Sequence, residues 1–268
     1  MPNRAGAFGL GFGLGPPTYL PALLLLLACL TGCDDALTPA PASADTHERI
    51  DFPEIALDTS LPIFWPEVAE ISDLLSQDRP PHWVLTALRE YGPVRPLDSL
   101  SSASGKMPLA ADGLLVLAQP YPLSPDENVA LDRWVHSGGR VLLFADPMLT
   151  HGSAYALGDR RRPQEIALLS PILARWRLEL QFDDTQPPGE RMAPLGQGKL
   201  PVHLPGRFVQ HGKGGACTLA GDGLVASCRI GRGHVVAVAD AAVLEAGGGI
   251  ESAPRIAGLR LLLEKVAR

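Results

Sequence analysis

Apolar and polar positions divide the chain into three parts: an apolar run near the start, a stretch without periodicity, and a long body of alternating strand and helix patterns. In the body, residues 54–57 form a short apolar strand running into Asp58. Residues 66–75 place Val68, Ile71, Leu74 and Leu75 on one helical face, and 81–91 read as a second helix closed by Gly92. Residues 94–97 are a weak strand whose pairing Pro96 limits. The clearest unit spans 113–146. Its first strand, 113–118, is continuously apolar, as expected of a parallel strand buried on both faces. Ser124, Pro125 and Glu127 then compose a capping box with proline at the first helical position, and Val129, Leu131, Trp134 and Val135 give that helix its buried side. Gly138 and Gly139 end it, and 140–145 are the next buried strand, which makes a right-handed βαβ unit.

Further on, 163–176 carry Ile166, Leu169, Ile172 and Leu173 at helical spacing, with Pro171 kinking or dividing the segment. Residues 177–182 alternate like a strand with one wet face, and 185–198 read as a Pro/Gly loop. A β-rich insertion occupies about 183–230, its strands falling in 200–230. Residues 233–239 are a last buried strand, and 254–266 a closing helix. The pattern predicts one α/β domain over 51–268, three-layered, with a mostly parallel sheet.

The apolar run is 20–30, including five leucines at 23–27. Eleven residues suit a signal peptide and fall short of the roughly 20 that a spanning helix needs. Arg4 is the only charge before Asp34, and the long polar leader is compatible with a start codon further in. Leu30, Thr31, Gly32 and Cys33 resemble a bacterial lipobox, which implies cleavage after residue 32 and lipidation of Cys33. The alternative is a secretory peptide with an incidental cysteine. By resemblance to enterobacterial lipoproteins, Asp34 and Asp35 favour the inner membrane, its periplasmic face. Residues 33–50 read as a flexible tether.

Net charge is −6, from 23 basic and 29 acidic residues. Without residues 1–32, 22 basic residues face 29 acidic ones, a net −7. A nucleic-acid footprint is excluded on this balance. Cys217 and Cys228 flank Asp222-Gly223, a type I′ hairpin signal. A turn centred there pairs 221 with 224, 219 with 226 and 217 with 228, which puts the two cysteines within disulfide reach. A metal pair is the rival, although no Cys or His spacing completes four ligands. Neither a metal nor a cofactor is expected.

Several strands end in a polar residue: Asp58, Asp98, Gln119, Asp146 and Asp240. Ligands of open parallel sheets bind beyond the carboxyl ends of the strands, so Asp58, Gln119, Asp146 and Asp240 could share a crevice. Tyr121, His151 and the loop arginines Arg160, Arg161 and Arg162 stand nearby in the sequence, and the arginines precede a helix N-terminus where an anion such as phosphate or a lipid head group could sit. Converged carboxylates can hold a cation or act as acid and base. The competing reading is that each Asp caps a turn and that the arginine loop is merely solvated. No nucleophile elbow follows a buried strand, since the matching positions read Gln119-Pro120-Tyr121 and Asp146-Pro147-Met148. His82, His136 and His203 read as surface or packing residues.

Three stretches carry a family resemblance: 114–127 with 131–147, 231–240, and 61–65. Together they resemble the auxiliary domain of GldG-type ABC-transport systems, over about residues 54–245. That resemblance implies a flavodoxin-like or class I glutamine-amidotransferase-like fold without the catalytic Cys, no enzymatic activity, and permease or ATPase partners. The first expectation is therefore a lipid-anchored auxiliary component of a membrane transport complex. The alternatives are a hydrolase or transferase using Asp58, Asp146 and Asp240, and a periplasmic binding protein for a small ligand.

Overall fold

The computed structural model describes residues 50–67, 80–212, 217–245 and 252–268. The leader, Cys33, most of the tether and most of the helix expected over 66–75 lie outside these residues.

In chain order the elements are β1 (Ile55–Thr59), α1 (Trp83–Arg89), β2 (Val94–Pro96), β3 (Leu114–Ala118), α2 (Pro125–His136), β4 (Arg140–Phe144), α3 (Ser170–Arg175), β5 (Leu178–Gln181), β6 (Arg191–Leu195), β7 (Gly198–Val202), β8 (Arg207–Gln210), β9 (Cys217–Ala220), β10 (Val225–Ile230), β11 (Gly233–Val238) and α4 (Ser252–Ala267). Seven strands make the central sheet in the order β2-β1-β3-β4-β11-β10-β9. The first five run parallel, and β10 and β9 pair antiparallel at one end. The fold is mixed α/β around a mostly parallel sheet.

Continuous apolar runs in β3, β4 and β11 match burial on both faces. Leu114, Val116, Leu142, Phe144, Val236 and Val238 pack with Leu88 of α1 and Leu259, Leu262 and Leu263 of α4. Leu115, Leu117, Val141, Leu143, Val235 and Ala237 pack with Leu131 and Val135 of α2 and with Ile172 and Leu173 of α3. Each Leu, Val or Phe withdrawn from water contributes roughly 1.5–3 kcal/mol, so the strand centres dominate the core. The helix α2 begins as its sequence requires. Ser124 Oγ accepts from the Glu127 amide at 3.3 Å, and Glu127 Oε2 accepts from the Ser124 amide at 2.9 Å. At its far end, a Cβ on Gly233 would fall onto the carbonyl oxygens of Val135 and Gly139, so only glycine lets β11 start there.

Three expectations change. Only Ser170–Arg175 of the segment 163–176 is helical. Pro171 sits in the first turn, where its missing N–H costs nothing, and it starts the helix rather than kinking it. Ile166, which the helical spacing took for a buried position, is exposed. The supposed loop over 185–198 contains β6, and Gly196 at φ 59 turns it into β7. The β-rich insertion is not one unit: β5–β8 and β6–β7 form two small antiparallel sheets, whereas β9 and β10 extend the central sheet. Pro96 does place β2 at a sheet edge.

The β9–β10 hairpin keeps the register read from Asp222-Gly223, with Cys217 opposite Cys228 and Leu219 opposite Ala226. Asp222 and Gly223 both have positive φ, and the cysteines form a disulfide.

Candidate functional site

Because β1, β3, β4 and β11 are parallel neighbours, their carboxyl ends share one edge. Asp58, Gln119, Asp146 and Asp240 all stand there. The chain leaves β1 towards β2 on one side and returns to β3 on the other, so the topological switch point lies between β1 and β3.

Gln119 is fully buried and has a left-handed backbone at φ 49. Its side chain folds back onto the neighbouring strand end. Nε2 donates to the carbonyls of Asp146 (3.0 Å) and Gln164 (2.8 Å), and Oε1 accepts from the Asp146 amide at 2.8 Å. Its carbonyl accepts from the Ser60 hydroxyl, and Thr59 Oγ1 donates to the Ala118 carbonyl at 2.8 Å. Gln119 therefore ties the ends of β1, β3 and β4 together.

Asp146 and Asp240 come together, each buried and each capping backbone. Asp146 Oδ1 accepts from the Met148 amide at 2.8 Å and Oδ2 from the Ala241 amide at 3.0 Å. Asp240 Oδ1 accepts from the Ala242 amide at 2.6 Å and Oδ2 from the His203 amide at 2.8 Å. Burial pushes the Asp146 carboxyl up to about 7, against the lowering effect of the two amides. Burial, with the Asp146 charge second, raises Asp240 as well. Burial also raises Glu245, opposed by His151 and Arg255.

Asp58 stands apart from this pair. Burial holds its carboxyl at about 7, and the charges that add to this are Glu127 and Asp98. Unlike Asp146 and Asp240, it caps no backbone amide among the described residues. Glu127 itself is held by the Ser124 amide, Ser99 Oγ at 2.9 Å and the Leu100 amide at 3.1 Å. The three aspartates considered for acid–base work thus divide into a capping pair and one perturbed carboxyl at the switch point.

Tyr121 is exposed, and its hydroxyl donates to the carbonyl of Arg162 at 3.1 Å. The three arginines do not converge on an anion site. Arg161 pairs with Asp159 at 2.7 Å and lies over the Tyr155 ring, Arg162 pairs with Glu165 at 2.9 Å, and Arg160 is exposed. His151 stands close enough to His82 to add to the lowering that burial imposes there. Among the described residues, no group of three or more His, Cys, Asp or Glu is placed to hold a metal ion.

Sequence reasoning missed what supports this edge from below. Arg255 of α4 is buried, pairs with the carboxylate of Glu190, and donates to the Ala242 carbonyl. An arginine beside Ile256 and Leu259 in an otherwise apolar helix face was the available signal. Beside the ion pairs of Arg161 and Arg162, the loops leaving the edge also expose apolar side chains: Met148, Leu157, Ile166 and Leu168 are exposed, Leu157 at 84%. Glu67 joins that rim to the segment after β1, accepting from Ser153 Oγ at 2.8 Å, and Trp65 beside it is 72% exposed.

No family model and no curated protein matches the chain. Among solved structures it is similar to an exo-β-1,4-mannosidase from Opitutaceae bacterium strain TAV5, at 13% identity and a TM-score of 0.43, covering 82% of this chain and 35% of that one. A putative ThuA-like protein from Parabacteroides merdae matches at 11% identity and a TM-score of 0.39, covering 81% and 90%. The chain spans about a third of the length of the glycosidase structures it matches. The mmIFT52 N-terminal domain matches at 10% identity and a TM-score of 0.52, over 80% of this chain and 97% of that domain. At that identity the likeness is one of fold alone.

Proposed function

We propose that the protein is a lipid-anchored component of the cell envelope, held through Cys33 at the periplasmic face of the inner membrane. Its carboxyl-edge loops dock a subunit of an ABC-type transport complex, and that edge works by binding rather than by chemistry. The body is read as a three-layer, flavodoxin-like or amidotransferase-like domain, a reading supported by the strand order β2-β1-β3-β4-β11 and by apolar clusters on both sheet faces.

The observation that carries this reading is the division of labour at the edge. Gln119, Asp146 and Asp240 are committed to backbone hydrogen bonds, while Met148, Leu157, Ile166, Leu168 and Trp65 face outward. An apolar rim above an internally satisfied polar edge favours a protein partner over a polar substrate. The test has two arms. Cys33→Ala is expected to release the chain from the membrane fraction, and a photo-crosslinker at Leu157 or Leu168 is expected to capture a membrane subunit. Continued membrane fractionation of the Cys33 variant would remove the anchor, and crosslinks to no membrane protein would remove the docking role.

Asp58 favours a second reading, a small-ligand site between β1 and β3, because its uncapped carboxyl is held near neutrality at the switch point. Ligand-dependent melting shifts across a metabolite panel, abolished by Asp58→Asn, would support it. A flat panel would exclude it.

A further inference from the structure

At the amino end of β11, opposite the docking loops, three strands and the end of α4 enclose a second polar site. Thr218 of β9 lies directly opposite Ser227 of β10, and Arg229 lies opposite His234 of β11. Strand alternation turns Thr218, Ser227 and His234 towards α4. With Arg229, Leu261, Glu264, Lys265 and Arg268 they line a cleft of about 340 Å³.

Two hydrogen bonds assign the ring proton of His234 and the hydroxyl proton of Ser227. His234 Nδ1 lies 3.1 Å from the carbonyl oxygen of Val266, which only accepts, so Nδ1 carries the ring proton. Its Nε2 is then a bare acceptor, and Ser227 Oγ donates to it at 2.8 Å. Burial, followed by the charge of Arg229, lowers His234 to about 4, with Arg140 and Lys265 adding to the effect. The imidazole is neutral at pH 7. A hydroxyl bonded to an oriented, unprotonated imidazole is the arrangement that activates serine, and here the carbonyl of Val266 stands where a carboxylate orients the ring elsewhere. The burial and cations that keep the ring neutral also weaken it as a base, and a substrate anion beside Arg229 and Lys265 offsets that effect.

We propose that Ser227 is a nucleophile with His234 as its general base, and that the cleft takes small esters bearing a carboxylate or phosphate. Arg229 and Lys265 supply the positive potential for such a substrate, although Arg229 also donates to the terminal Arg268 carbonyl, and Glu264 limits the net charge. Ser227 Oγ attacks the acyl carbon while its proton passes to His234 Nε2. The ester C–O bond breaks, and that proton leaves on the departing alcohol. Water then gives a proton to His234 and its oxygen to the acyl carbon; the bond between Ser227 Oγ and the acyl carbon breaks, the acid leaves, and the proton returns from His234 to Ser227 Oγ. This activity goes beyond the docking reading and is separable from it, because the two sites occupy opposite ends of the sheet.

The experiment is labelling of the purified mature chain with a fluorophosphonate, which forms a P–O bond at serine and releases fluoride. The peptide containing Ser227 is expected to carry the label, and Ser227→Ala, with an unchanged melt, to lose it. His234→Gln is expected to slow labelling at least tenfold. Should that variant fail to fold, the wild-type rate between pH 6 and 8 decides: a neutral base gives a flat profile, whereas an unassisted hydroxyl gives a rise of about tenfold per pH unit. An anionic nitrophenyl ester is expected to turn over faster than its neutral analogue, and Lys265→Ala to erase that preference. An unlabelled Ser227 in folded protein, a rising profile, or equal rates for the two esters would overturn the proposal.

Discussion

Gln119 shows how one side chain can hold an edge that a ligand was expected to hold. A polar residue after a buried strand reads the same in sequence whether it faces a crevice or folds back onto its neighbour. What decided the matter is the left-handed backbone at Gln119, which aims its amide at the peptide of Asp146. Gln119→Ala removes three hydrogen bonds and leaves the Asp146 amide buried without a partner. The expected loss is about 2–4 kcal/mol in chemical denaturation; an unchanged midpoint would mean that the clamp is dispensable. Asp58 makes the opposite case, since its ionised form has no cap to stabilise it. Asp58→Asn is expected to raise the melting temperature most at pH 8, by less at pH 5, and not at all near pH 3, where the carboxyl is protonated in both the native and the unfolded chain.

Among the elements, the β9–β10 hairpin was fully legible: Asp222-Gly223 dictated both turn and register, and the register brought the cysteines together. Closing this short loop contributes up to roughly 3 kcal/mol. Replacing both cysteines by serine is therefore expected to lower the melting temperature by several degrees, with the same loss on reduction of the wild type. The βαβ unit was legible for a similar reason, because its capping box and uninterrupted apolar strands are local signals. Elsewhere a local signal misled. Pro194 hid β6, since a strand that pairs on one side only tolerates proline. Pro171, taken for a kink, was a beginning. Ser227 and His234 escaped notice because a reactive serine was sought after a parallel strand. The two meet only across an antiparallel pair, and no short-range pattern announces that contact.

For the molecule as a whole, the edge carboxyls set the response to pH. Asp58 and Asp146 sit near 7 in the fold, and Asp240 and Glu245 are raised as well, whereas in the unfolded chain all four release their protons near pH 4. Between these limits the native state binds more protons, so stability falls as pH rises from about 4 to about 7. Half-buried His82 and buried His234, lowered instead, oppose this below about pH 6.5. A melting series from pH 5 to 8 is expected to decline up to about pH 7 and to flatten above it. A rise over that interval would mean that the carboxyls ionise in the fold without penalty.

The two flanks of the central sheet are both short: β2 has three residues and ends in Pro96, and β9 has four and is bolted to β10 by sulfur. Exposed backbone along a flank invites pairing with another copy, and such brief, stiffened margins offer little to pair with. Crowded copies are thereby protected from zipping into filaments, and any companion has to be recognised through side chains at the loops or in clefts.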